Sequence, residues 1–79
     1  MEYKENNVVK WKSPQTEVES RDIMVVKACD KGTGYLTVLH INEPDGVLRE
    51  SMVSPVSVEF CGICSKYEPY SEVVDRYLK

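Results

Sequence analysis

The longest apolar stretch of the chain consists of two runs of seven, Ile23–Cys29 and Tyr35–Ile41, which are separated by five polar or glycine residues. This pattern predicts a β-hairpin with a medium-length loop, and the β-branched residues in both runs favour strands. Three alternate positions of the first run are all apolar: Met24, Val26 and Ala28. Because its other face is also largely apolar, we expect this run to lie inside a sheet.

The register of this hairpin follows from its loop, Asp30–Gly34. Pairing across the loop would place Cys29 opposite Tyr35 and Met24 opposite His40. At about 3.3 Å per strand residue, Cys29 and His40 would then lie roughly 17 Å apart. The two side chains could not bind one metal ion in that register.

Three further strands and a helix are predicted around the hairpin. Val8–Lys12 alternates between apolar and basic residues from Val9 onward, although Val8 breaks the pattern, and the turn signal Pro44–Gly46 precedes a strand over Val47–Val53. Val56–Phe60 alternates cleanly, which predicts that its two valines and its phenylalanine face the core. Ser71 is a good N-cap for a helix over residues 72–79.

The remaining segments are polar. Residues 1–7 are interpreted as a loose leader without the apolar core of a signal peptide. Pro14–Asp22 is interpreted as a solvated connection, although Thr16 and Glu19 match a capping box. Together the elements predict one domain, residues 1–79, that is mainly β (small α+β). We expect four or five antiparallel strands in a bent sheet or small barrel, with a short C-terminal helix.

The net charge and the number of cysteines limit the classes of function that fit the sequence. The net charge of −3 argues against a nucleic-acid binder, which usually carries a basic surface. No apolar run approaches the ~20 residues of a membrane span. Three cysteines are an odd number in a chain with no export signal, so we expect a reducing cytoplasm and no obligatory disulfides.

The pair Cys61-x-x-Cys64 carries the most specific candidate chemistry. As half of a zinc site the pair would need two further ligands. Cys29 would supply one, and Asp30 or a residue of a second chain would supply the other. As a redox pair it would need a helix N-terminus to lower the thiol pKa. The interpretation that we favour is two small apolar residues at a strand end, because cysteine is commonly buried without chemistry. We therefore expect no cofactor, with zinc as the alternative.

The candidate binding residues are aromatic and basic. Aromatic rings stack on the bases of single-stranded nucleic acids, and basic side chains contact the phosphate backbone. Partly exposed tyrosines also anchor protein interfaces. The set is Lys10, Trp11, Lys12, Tyr67 and Tyr70. The plainer interpretation is that the tryptophan fills the core and the tyrosines cover the sheet edge.

The sequence contains no obvious catalytic constellation. His40 is the single histidine, it lies within an apolar strand, and no glycine-flanked Ser or Cys stands near it. We therefore expect a small cytoplasmic regulatory or accessory module that is not an enzyme and binds a protein partner, with a homo-oligomer left open. The alternatives are a β-barrel nucleic-acid binder and a zinc- or thiol-dependent protein.

Overall fold

A computed structural model describes residues 2–42 and 46–78, so Pro44 and Asp45 of the predicted turn lie outside the described residues. The described elements, in chain order, are β1 (Asn7–Trp11), α1 (Glu17–Ser20), β2 (Ile23–Cys29), β3 (Leu36–Asn42), β4 (Val47–Val53), a 3-10 turn (Pro55–Ser57), β5 (Val58–Ile63) and α2 (Tyr70–Leu78). This is a mainly β, small α+β architecture, and the predicted fold class is confirmed.

The strands form one open antiparallel sheet in the order β4-β3-β2-β1-β5. The central position of β2 confirms that the most apolar run lies inside the sheet. Only residues 54–57 connect the two edge strands, β4 and β5. Val53 at one edge and Val58 at the other belong to the same buried cluster, so the sheet is bent toward that cluster.

Apolar side chains are buried on both faces of the sheet. One face, here called the inner face, carries a cluster of buried residues: Tyr3, Val9, Met24, Val26, Leu36, Val38, Val53 and Val58. The opposite face, here called the helix face, packs against α2 through another cluster: Val8, Ile23, Val25, Cys64 and Val73. Alternation of side chains along β1 and β2 supplies both clusters at once.

The predicted hairpin register is correct in the middle and wrong near the loop. Val26 lies opposite Val38 as the pairing across the loop requires, but Cys29 lies opposite Leu36 rather than the preceding tyrosine. The cause is a bulge in β2 after Val26, which adds one residue to this strand. Ala28 is consequently exposed and does not extend the apolar face of its strand.

The predicted loose leader is wrong for the residues just before β1. Tyr3 is 8% exposed, and its hydroxyl donates to the carbonyl oxygen of Val58 at 3.3 Å. The backbone N–H of Asn6 donates to the carbonyl of Val26 at 2.8 Å, and Asn7 already belongs to β1. The segment is held because the tyrosine ring covers the inner-face cluster.

The segment before β2 forms one helical turn, α1, instead of a plain solvated connection. The hydroxyl of Thr16 accepts from the Glu19 N–H at 3.1 Å, and the Glu19 carboxylate accepts from the Gln15 N–H at 2.8 Å. The Thr16 bond is the N-cap half of the capping box indicated by the sequence, whereas the Glu19 carboxylate bonds the N–H one residue before the N-cap. Two satisfied N–H groups compensate for the small apolar surface of α1.

The predicted core positions of the last strand are wrong at two of three residues. Val58 is 1% exposed, but Val56 is 75% exposed and Phe60 is 39% exposed. Pro55 opens the 3-10 turn, and the Ser54 hydroxyl caps it by accepting from the Val56 N–H at 3.4 Å. The first valine therefore precedes the strand, where alternation no longer applies.

Helix α2 begins one residue before the predicted N-cap Ser71 and packs Val73 against the helix face. The helix starts early because the Pro69 carbonyl accepts the first helical bond, from the Val73 N–H at 3.3 Å. The hydroxyl of Tyr70 donates to the Ile23 carbonyl and accepts from the Ile41 N–H. These bonds tie the first turn of α2 to β2 and β3. Within the described residues, no helix has the length and apolar character needed to cross a membrane.

Candidate functional site

The predicted basic and aromatic residues of β1 do not form one surface. Lys10 pairs with Glu59 of β5 at 3.6 Å. Trp11 is half-buried against the inner-face cluster, and its Nε1 donates to the Asp22 carboxylate at 3.0 Å. Lys12 follows the strand and is exposed. Trp11 thus packs against the core and hydrogen-bonds to Asp22, as the plainer interpretation expects.

The two predicted tyrosines differ in role. Tyr67 is 84% exposed, with the Lys66 ammonium 5.0 Å from its ring centroid. Tyr70 is half-buried, and burial raises the pKa of its hydroxyl above the ordinary value. Its two backbone hydrogen bonds make it a structural residue. Of the five predicted binding residues, Tyr67 is the aromatic one that is available to a partner.

Several basic side chains are engaged by carboxylates on different parts of the fold. The pairs are Lys10 with Glu59, Arg21 with Glu17, and Arg76 with Glu68. We expect no salt-sensitive binding to DNA or RNA at physiological ionic strength, because phosphate binding needs several unpaired cations together. A fluorescence titration with single-stranded oligonucleotides checks this. Micromolar affinity that falls steeply with added salt would support the nucleic-acid alternative.

The three cysteines are divided between the two faces of the sheet. Cys29 packs against the inner-face cluster, and its Sγ lies 3.9 Å from the Gly34 carbonyl oxygen. Cys61 and Cys64 belong to the helix-face cluster, where the Cys64 thiol donates to the Asn6 carbonyl at 3.4 Å. Among the described residues, no group of three or more His, Cys, Asp or Glu is placed to hold a metal ion. Cys29 therefore does not complete a site with the other two.

The thiols of the pair are held in their protonated form. Burial raises the pKa of Cys61 more than the nearby Lys10 lowers it. Burial also raises the pKa of Cys64, and the Glu68 carboxylate adds to the effect. Reactive redox cysteines have lowered pKa values, so this environment favours the packing interpretation over the redox one.

Replacing both Cys61 and Cys64 by Ser is expected to cost roughly 1–2 kcal/mol of unfolding free energy, the loss of two small apolar groups. Urea unfolding of the two proteins measures the cost. Structural zinc would contribute much of the folding free energy. Stoichiometric zinc in protein purified without chelator, with chelator-induced loss of the CD signal, would contradict this expectation.

The exposed apolar side chains of β3 and β4 form a surface that the sequence analysis did not predict. Register places these residues on the helix face: Leu39, Ile41, Leu48 and Met52. We call this set the β3–β4 surface. Leu48 is 48% exposed and Met52 is 60% exposed, while Leu39 is half-buried between them and β2.

A groove continues the β3–β4 surface toward α2. Its floor is apolar and includes Val25, Leu39 and Val73. Lys27 and Lys66 lie at its rim and are exposed. Glu68 also lines the groove, but its carboxylate is paired with Arg76 outside the floor. The groove thus combines an apolar floor with a positively charged rim.

The sequence did carry a signal for this surface. In β4 the helix-face positions are Leu48, Glu50 and Met52, so a charged residue interrupts the apolar ones. A core strand would not place a carboxylate there without a partner. The interruption is typical of an exposed strand at a sheet edge.

The chain matches no protein-family model, no curated protein and no solved structure.

Proposed function

We propose that the protein is a small cytoplasmic regulatory or accessory module that binds a protein partner through the β3–β4 surface. The observation that carries this proposal is that Ile41, Leu48 and Met52, each more than a third exposed, share one face of neighbouring strands, with Ile41 directly opposite Leu48 and Leu39 between this pair and Met52. Contiguous apolar patches on a small domain mark interaction sites more often than single exposed residues do.

The charge at the groove selects the kind of partner. Lys27 and Lys66 stand at the rim, and Glu68 is neutralised by Arg76. A segment that inserts an apolar side chain over Val25 and presents a carboxylate beside it would meet complementary charge. We therefore propose a partner segment that carries an apolar anchor flanked by aspartate or glutamate.

The cytoplasmic assignment is supported by the cysteines. Cys29, Cys61 and Cys64 are all free thiols. Free thiols persist in a reducing compartment, whereas exported small domains usually use their cysteines as disulfides.

Photo-cross-linking in cells of the natural source tests the surface. The photoreactive residue benzoylphenylalanine replaces Leu48 in one variant and Val56 in the control. Val56 is a matched control because it is exposed and apolar but precedes β5, away from the β3–β4 surface. We expect one discrete protein adduct from position 48 and none from position 56. Equal adducts from both positions would contradict the proposal.

Substitutions in the β3–β4 surface should weaken partner binding by a measurable factor. Leu48→Glu and Met52→Glu should each weaken binding of the captured partner at least about tenfold, because each loses apolar contact and adds a charge. Their melting temperatures should stay close to wild type, since exposed substitutions change stability by about 0.5 kcal/mol or less. If the only adduct is a second copy of this chain, the surface is instead a dimer interface.

A further inference from the structure

Four side chains form a hydrogen-bonded row across the inner face. Trp11 Nε1 donates to Asp22 Oδ2 at 3.0 Å, and Asp22 Oδ1 lies 3.2 Å from His40 Nδ1. His40 Nε2 lies 2.7 Å from Ser51 Oγ. The row crosses the sheet from β1 to β4 and contains a serine, a histidine and a carboxylate in the connectivity of a hydrolase triad.

Strand pairing, not proximity in sequence, assembles this row. His40 lies on β3 between β2, which Asp22 precedes, and β4, which carries Ser51. The neighbours of His40 along the chain therefore contain no signal for the serine. The residues come together because β3 pairs with both adjacent strands.

The two bonds to the ring define its working tautomer. Of the two neutral tautomers of the ring, a carboxylate at Nδ1 favours the one that carries its proton on that nitrogen. Nε2 is then an acceptor, and it faces the hydroxyl of Ser51 at hydrogen-bond distance. The side chains of His40 and Asp22 are only 16% and 12% exposed, so packing fixes the ring between its two partners.

We propose that Ser51 is a nucleophile for small carboxylic esters. Ser51 Oγ attacks the ester carbonyl carbon, and His40 Nε2 takes the hydroxyl proton. The tetrahedral intermediate collapses, the bond to the leaving alkoxide breaks, and His40 returns the proton to that oxygen. Water then attacks the acyl-serine with His40 again as base, which releases the carboxylic acid and restores Ser51. Asp22 is a positioning residue, because it orients the ring without touching the ester.

An esterase also needs hydrogen-bond donors for the oxyanion, and we place them at the exposed edge of β4. In the described sheet β4 pairs with β3 alone. An edge strand directs alternate backbone N–H groups away from the sheet. Donors beside Ser51 would stabilise the oxyanion that develops on the ester carbonyl. Ser51 itself is half-buried, so a small ester is the appropriate substrate class.

The test uses the purified full chain with p-nitrophenyl acetate and with a fluorophosphonate probe. We expect fluorophosphonate to modify Ser51, as peptide mass spectrometry identifies, and Ser51→Ala to abolish both the modification and the esterase activity. Ser57→Ala is the matched control, because Ser57 is exposed and lies outside the row. Fluorophosphonate that modifies no serine, or modifies Ser57 as readily as Ser51, would overturn the proposal.

The Asp22→Asn variant tests whether Asp22 positions His40 for catalysis or only stabilises the fold. It keeps the side-chain shape, so we expect a normal CD spectrum, a fall in kcat of about 100-fold and little change in KM, in the range of general-base effects. An unchanged kcat in a folded Asp22→Asn variant would show that the row is only a structural hydrogen-bond chain. The row lies on the face opposite the β3–β4 surface, so its failure leaves the interaction proposal standing.

Discussion

Val26→Asp is expected to unfold the domain. Val26 is fully buried in the inner-face cluster, on the central strand of the sheet. An unpaired carboxylate there costs several kcal/mol whether it stays charged or takes up a proton. A domain of this length has a total stability of about 4–12 kcal/mol, taking 0.05–0.15 kcal/mol per residue. The single substitution therefore removes most of the folding free energy.

The matched control for this prediction lies on the same strand. Ala28 is exposed beyond the bulge, so Ala28→Asp should change the unfolding free energy by about 1 kcal/mol or less. Circular dichroism with thermal melting distinguishes the two variants. A soluble Val26→Asp protein with an unchanged melting temperature would place Val26 at the surface and would contradict the inner-face core.

Gly62→Ala is expected to loosen the docking of α2. A Cβ at this position would run into the Tyr77 hydroxyl and lie 2.9 Å from Cζ of the same ring. Tyr77 packs against the helix-face cluster, so the ring would have to move and shift the helix with it. Overpacking of this kind costs about 1–3 kcal/mol. Urea unfolding of the variant measures the cost.

A double-mutant cycle shows whether the ring is the cause. In a Tyr77→Ala background the space beside Gly62 is open, so adding Gly62→Ala should cost at most a few tenths of a kcal/mol. The two substitutions would then show a large favourable coupling. If Gly62→Ala costs the same in both backgrounds, the backbone of β5 rather than the ring demands the glycine.

The strands of the fold could be predicted because their apolar runs are long and bounded by turn residues. β2 and β4 have the bounds that the sequence indicated, Ile23–Cys29 and Val47–Val53. Apolar runs and turn residues could not have revealed the register error near the hairpin loop. A bulge depends on how β2 packs between its two neighbours, and hydrophobic alternation within one strand does not report it.

The sequence could indicate that β4 is exposed, but not which residues of other strands join it in the two candidate sites. Residues that are far apart in sequence become neighbours only when the strand order is known. Ser51 meets His40 because β4 lies beside β3, and Leu48 joins Ile41 through the same pairing. The interpretation that Trp11 packs against the core agrees with its contacts, because a single tryptophan in a short chain is needed for packing. That argument does not depend on topology.

Protection of the β3–β4 surface in the complex is the most direct test of the proposed function. A soluble gadolinium chelate broadens the NMR signals of exposed methyl groups, so Leu48, Met52 and Val56 should all be broadened in the free protein. After addition of the partner captured by cross-linking, we predict that the signals of Leu48 and Met52 sharpen while that of Val56 stays broad. Sharpening of Val56 with Leu48 and Met52 still broadened would contradict the account.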